Sequence, residues 1–392
     1  MRTKIRHWLF GLAYLGLVSG SGFPSPPAQA ISPPFKETRR IETLAPGIEH
    51  EEILREARGT GAAGERWIIH VLTLDPRRAR LTVARAMDEV VGTEQTSSLA
   101  ARAGALAAVN GGYFRTAGLY RGEPSGMLAF GDRILSEPSG PRAELAISNA
   151  GGRIQIAMGQ IEVGTTVFVD GGGARPVDGI NRPRGKDELI LFTPEFHRTT
   201  LTGPEGIEAI VREKTIVAVH DGTGSGAIPT DGWVLSAAGA AGRWGRERFR
   251  VGARVEIRTD IKSDPALPFV AEFAIGGGPL LVKSGRPLAE AEAAAEAFNE
   301  DFIRKRHPRT AIGVRGDGGL VIVTVDGRQA GKSAGMTIRE LTDLMSGLGC
   351  VDAINLDGGG STTMAVKGKA VNNPSDPAGE RPVSDALLVF RR

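Results

Sequence analysis

The chain has 392 residues with 48 Lys and Arg against 45 Asp and Glu, a length for two or three ordinary domains or one large one. Its net charge of +3 belongs wholly to residues 1–30, which hold Arg2, Lys4 and Arg6 and no acid, so the rest of the chain balances at 45 of each sign. A balanced chain excludes the nucleic-acid class that a general basic surplus would invite, and a single cysteine, Cys350, excludes an internal disulfide or a cysteine metal cage.

Residues 1–30 read as an export signal: the three basic residues, an apolar run from Trp8 to Val18, and the small-x-small site Ala28-Gln29-Ala30. The run is shorter than the ~20 residues of a membrane span, and no later stretch approaches that length. The expectation is a periplasmic or secreted chain with no transmembrane span, cleaved near Ala30. Residues 31–60 read as a polar linker or N-terminal strap. Residues 61–392 then form the main domain, in which 150–265 is a β-rich insertion.

Within that domain, Trp67–Leu74 is apolar enough for a buried strand, and Arg80–Ala84 follows across Asp75-Pro76-Arg77 as its expected hairpin partner. A short helix is expected from Ser97 or Ser98 to Gly104, before the strand Ala105–Val109. Regular short apolar runs divided by turn residues between 150 and 260 predict an antiparallel sheet. Leu288–Arg306, rich in Ala and Glu and basic at its end, predicts a helix. The strand Leu320–Val325, the capping box Thr337-Ile338-Arg339-Glu340 with its apolar stripe, and the strand Val351–Leu356 make a βαβ unit. The fold class is therefore α/β or α+β: a mixed sheet with a C-terminal βαβ unit and an inserted antiparallel β-rich subdomain. Cys350 reads as a buried thiol that packs as a small apolar group.

A βαβ unit sets its two strands parallel and sends their carboxyl ends to one edge, where open α/β sheets bind ligands. Asp326 and Asp357 follow those two strands, and Asn110 ends a third. Asp357 precedes Gly358-Gly359-Gly360 and then Ser361-Thr362, a run whose amides and hydroxyls suit the oxygens of a phosphate or sugar. No Lys follows the glycines as in a nucleotide-binding loop, no Gly-x-Ser-x-Gly elbow turns a strand directly into a helix, and the six histidines form no HxxxH or HExxH set. His70 reads as a core side chain.

Six ordered motifs resemble the phosphodiester glycosidase family: Ala107-Ala108-Val109-Asn110-Gly111-Gly112-Tyr113-Phe114, Gly276-Gly277-Gly278-Pro279-Leu280-Leu281, Arg309-Thr310-Ala311-Ile312-Gly313, Val325-Asp326-Gly327-Arg328, Asn355-Leu356-Asp357-Gly358-Gly359-Gly360-Ser361-Thr362, and Asn373-Pro374-Ser375-Asp376 with Arg381-Pro382-Val383-Ser384-Asp385-Ala386-Leu387. The chain resembles a bacterial exported member. The resemblance implies hydrolysis of a sugar joined through its anomeric carbon to a phosphodiester, in an envelope or extracellular glycan.

A leaving phosphomonoester, with a second pKa of about 6, departs without the acid that an alkoxide requires, so one carboxylate with good anion stabilisation suffices. In this reading Asp357 is nucleophile or general base, Asp326 positions a sugar hydroxyl or water, and Asn110 bonds sugar or phosphate. Arg309, Thr310, Gly358, Gly359, Gly360, Ser361, Thr362 and Arg381 hold the phosphate, Arg309 by a bidentate fork. Two rivals stay open. One is a phosphodiesterase that breaks P–O with a divalent cation on Asp326 and Asp357. The other is a non-catalytic exopolysaccharide-binding envelope protein.

Overall fold

The strands Arg66–Leu74, Leu320–Val325, Arg309–Arg315 and Cys350–Asn355 read as nearly continuous apolar runs because the sheet they share is buried on both faces. On one face Leu72, Ile322, Ile312 and Ile354 join a core with Val109, Leu387 and Met364. On the other, Val71, Val323, Ala311 and Ala353 pack against Ile338, Leu341, Leu344 and Met345 of the helix Ile338–Gly347. The alternation of side chains along each strand thus divides one sheet between two cores.

The computed structural model describes residues 35–57, 65–171 and 173–392. The export-signal segment, the first residues of the strap and residues 58–60 lie outside them. Where the strap was expected, Phe35–Ala45 and Ile48–Ala57 pair as a long antiparallel hairpin that forms one edge of the eight-stranded sheet. Polar composition there reflects an edge of low burial rather than the lack of regular structure.

Two further expectations are corrected. Ala79–Arg85 does not pair with Arg66–Leu74; it pairs with Asp385–Arg391 in a second, five-stranded sheet that also holds Ala107–Asn110 and Met364–Val366. Leu288–Arg306 is two short helices, Glu290–Ala295 and Asn299-capped Glu300–Arg304, interrupted at Ala297, which takes φ +60°. Asn299 supplies the signal for the second start, its side chain accepting from the Phe302 amide at 2.8 Å.

The helix between Leu320–Val325 and Cys350–Asn355 begins at Thr337 as the capping box requires, with Glu340 returning to the Thr337 amide at 2.9 Å. Those two strands run parallel but are not neighbours. Arg309–Arg315 lies between them, antiparallel to both. The beginning of the middle strand therefore sits at the edge where the outer two end. Three segments converge there: His307–Arg309, Asp326–Arg328 and Leu356–Ser361. The five-stranded sheet brings Asn110 to the same place.

Residues 155–264 contribute the long strands Gln155–Val169 and Val255–Asp264, paired antiparallel, and a separate five-stranded sheet from Gly179–Ile180 to Gly232–Ala237. Cys350 is buried, and burial pushes its thiol up to about 12, as expected for a packing group. His70 is 2% exposed, holds His50 at 3.0 Å, and burial presses its imidazole down to about 4.

Candidate active site

Asp357 leaves the Cys350–Asn355 strand two residues past its end and stays half-buried. Its backbone is fixed from two sides: its amide donates to the Gly111 carbonyl at 3.1 Å, and its own carbonyl accepts from Asn110 Nδ2 at 2.6 Å. Burial drives the carboxyl up to about 6, and the nearby Asp385 adds to the rise. Ser361, the Gly358 amide at 2.8 Å from Oδ1, and the Arg381 guanidinium oppose it. A carboxyl poised near neutrality can accept or release a proton under working conditions.

Asn110 keeps at most one amide hydrogen unused. It is fully buried, its Nδ2 holds Asp357, and its Oδ1 accepts from Thr310 Oγ1 at 2.7 Å and the Thr363 amide at 3.2 Å. Thr310 is spent on the same bond. Both residues help to set the position of Asp357.

Asp326 is likewise engaged by its neighbours. It is fully buried, and its two oxygens accept from Asn372 Nδ2 (2.9 Å), the Asn373 amide (3.0 and 3.2 Å) and Asn373 Nδ2 (3.1 Å). Asn372 in turn donates to the Thr362 carbonyl at 3.1 Å. Asp326 thus ties the 372–373 loop to the glycine turn from below and presents no oxygen to a sugar or a cation. Among the described residues, no group of three or more His, Cys, Asp and Glu side chains converges as a metal-ligand set.

Arg309 does not fork onto a phosphate. It is 1% exposed, and its guanidinium donates to the carbonyls of Met336 (2.8 Å), Phe302 (2.6 Å) and Lys305 (3.2 Å) while lying over the Phe302 ring. Burial lowers it to about 10. Strand alternation explains the difference, since Arg309 shares its face with Ala311, which packs on the helix side.

The glycine turn is also more closed than a free anion nest. The Gly358 amide holds Asp357, the Gly359 amide donates to the Pro308 carbonyl at 2.9 Å, and the Ser361 and Thr362 amides donate back to Gly358 and Gly359 at 3.2 Å each. Gly359 takes φ +61°, which a side chain would strain. The Thr362 hydroxyl is buried without a protein partner and the Ser361 hydroxyl lies beside the Asp357 carboxyl, leaving hydrogen-bonding capacity there for water or ligand.

Two guanidiniums flank this turn. A Cβ on Gly360 would strike Arg381 Nη2 and Asp376 Oδ1, so the Arg381–Asp376 fork, at 2.6 and 2.9 Å, abuts one side. A Cβ on Gly359 would come within 3.1–3.4 Å of the Arg328 guanidinium on the other. Arg381 is neutralised by Asp376; Arg328 has no carboxylate partner among the described residues and donates to His307 Nδ1 at 3.1 Å. Arg328 escaped the sequence reading although it stands in a quoted motif, because only the folded chain shows that its charge is unanswered. Asp385 was missed too: its Oδ1 accepts from the Gly112 amide at 2.8 Å, and burial raises its carboxyl. A cavity of about 410 Å³ lined by Phe114, Arg121, Asp376, Glu380 and Arg381 opens beside the fork, and one of about 420 Å³ lined by Arg66, Arg328, Gln329 and Lys332 beside Arg328.

Fold and site together define an α+β protein whose raised carboxyl precedes a glycine turn flanked by two arginines at a sheet edge. The phosphodiester glycosidase family matches residues 205–390, just under half of the chain and including five of the six motifs; the Asn110 motif lies before the match. Among curated proteins, the SPbeta prophage-derived protein YomE of Bacillus subtilis (strain 168) is 35% identical over 188 residues, 45% of this chain and 28% of YomE. The N-acetylglucosamine-1-phosphodiester alpha-N-acetylglucosaminidase of Mus musculus is 26% identical over 158 residues, 38% of this chain and 30% of the mouse protein. The chain thus spans less than a third of the length of these relatives. A crystal structure of a Burkholderia pseudomallei K96243 protein described as exported shares the fold, with a TM-score of 0.79 and 24% identity over 91% of this chain and 97% of that one.

Proposed function

We propose that this chain hydrolyses the glycosidic bond of a sugar-1-phosphodiester in an envelope or extracellular glycan, with Asp357 as nucleophile or general base. The observation that carries the reading is the placement of one raised, half-buried carboxyl beside a turn flanked by Arg328 and Arg381. The match to the phosphodiester glycosidase family, and the name of the mouse relative, support a phosphodiester-linked sugar as the substrate class. The exported neighbour supports a location outside the cytoplasm, and no helix among the described residues is long and apolar enough to cross a membrane.

With Asp357 as base, a water loses its proton to the carboxylate as its oxygen bonds to the anomeric carbon. The bond from that carbon to the phosphate oxygen breaks, and the electron pair leaves with the phosphomonoester. With Asp357 as nucleophile, its oxygen forms the first bond and water releases the sugar in a second step. Neither route needs a second carboxyl acid, because the leaving phosphate is stable as an anion. The rival diesterase loses one of its two expected ligands, since Asp326 is consumed by Asn372 and Asn373.

The test is incubation with a panel of sugar-1-phosphodiesters, with and without chelator, scored by product. Free reducing sugar released in the presence of chelator supports the proposal. A sugar phosphate as product, or binding of glycan without turnover, contradicts it.

A further inference from the structure

Beside the glycine turn, Arg328 carries a positive charge that no carboxylate among the described residues answers. Arg381 faces Asp376 through two hydrogen bonds, and Arg309 is sealed among carbonyls. Arg328 by contrast makes one side-chain bond, to a neutral acceptor, and lies against Gly359 in the turn that follows Asp357. With four of the amides from Gly358 to Thr362 already engaged, the turn offers little of its own to an anion.

Arg328 is also held in an uncommon conformation. It takes φ +59°, where a residue with a side chain is rare, immediately after Gly327 threads between Gly335 and Pro308. Such strain persists where the surrounding structure over-determines it and is concentrated at functional sites. The reach of the side chain is fixed by His307, whose Nδ1 accepts from Arg328 Nη2 and whose Nε2 lies 3.4 Å from the Asp301 carbonyl. That pattern requires the neutral ring with its proton on Nε2. Burial, Arg309 and Arg328 all favour the neutral form, against a weaker pull from Asp301. The cavity on this flank carries a second cation, Lys332, with no carboxylate partner among the described residues, whereas Arg66 is paired with Glu56.

We propose that Arg328, positioned by His307, is the residue that binds the phosphate of the substrate, with Lys332 favouring an anionic group in the cavity beyond. The assignment rests on the reading of Asp357 as the reacting carboxylate for its catalytic meaning. Its ligand chemistry, a phosphate oxyanion against a free guanidinium, is testable without turnover. A guanidinium already aimed by His307 loses little freedom on binding and can offer two parallel donors to two phosphate oxygens. His307 acts only through Arg328 and is a positioning residue.

The experiment is saturation of the full chain with inorganic phosphate at pH 7.5, followed by phosphorus NMR and by protection against thermal unfolding, for the wild type, R328Q, R328K, H307L and H307N. Wild type binds saturably, R328Q binds about tenfold to a hundredfold more weakly, as expected for a lost bond to a charged partner, and R328K falls between. H307N, which keeps an acceptor for Arg328, retains more affinity than H307L. Should R328Q fail to fold, R328K against wild type carries the comparison. Absence of saturable binding in wild type, or equal affinity in the Arg328 variants, overturns the assignment. Saturable phosphate binding in wild type that is lost in R328Q, together with no sugar release by wild type from any substrate, would retain the Arg328 site and reject the reading of Asp357 instead.

Discussion

Asp357→Asn should make the protein more stable above pH 6, although the reading above makes it inactive. The carboxyl is raised from an ordinary 3.8 to about 6 in the folded chain, so between those values the folded state holds a proton that the unfolded state has released. Stability contributed by this group is complete below about pH 4 and is lost as the pH rises through about 6. The rise corresponds to about 3 kcal/mol at 1.36 kcal/mol for each tenfold change in acidity, a large share of the roughly 5–15 kcal/mol that keeps a domain folded. Asparagine cannot ionise and retains an oxygen for the Gly358 amide that now meets Oδ1 at 2.8 Å. Urea unfolding of wild type and variant at pH 4 and pH 7.5 measures the effect, with a gain of up to about 3 kcal/mol at the higher pH and little at the lower. A variant less stable at pH 7.5, or a difference independent of pH, would refute the reasoning that burial strains this carboxylate.

The same electrostatics sets the pH dependence of activity. Because Asp385 pushes Asp357 upward, Asp385→Asn should move the acid limb of kcat/KM from about 6 to lower pH; an unmoved limb would show that Asp357 is not the titrating group. Asp326→Ala removes an acceptor from the buried Asn372 amide and the acceptors of Asn373, and should cost about 1–3 kcal/mol of stability, the scale for a buried group that loses its partner, as read by urea unfolding. Near-neutral stability in that variant would contradict its role as a structural clasp.

The sequence located the site edge well because the signals there are local. The capping box at Thr337 and the strand ends at Asp326 and Asp357 follow from hydrophobic period and turn chemistry, and they survive folding because neighbouring residues enforce them. Partner choice was less legible. Ala79–Arg85 looks like a hairpin partner by spacing, but it pairs with Asp385–Arg391 some 300 residues away, and no short-range pattern encodes that pairing.

Individual roles were hardest to read. Arg309 and Arg328 are equally basic in the sequence; one is spent on three backbone carbonyls and the other is left with a single neutral partner. The parity of the Arg309–Arg315 strand could have warned that Arg309 faces the helix side with Ala311. Nothing comparable marks Asp326 and Asn110 as clasps, because their saturation depends on Asn372, Asn373 and Thr363, which come from distant segments.

The most direct test of the central claim is turnover of a sugar-1-phosphodiester by Asp357→Asn, with folding verified in the same sample. The account predicts loss of at least a hundredfold in kcat, in line with removal of a general base, while phosphate binding at Arg328 persists. Undiminished release of reducing sugar by a folded Asp357→Asn protein would contradict it.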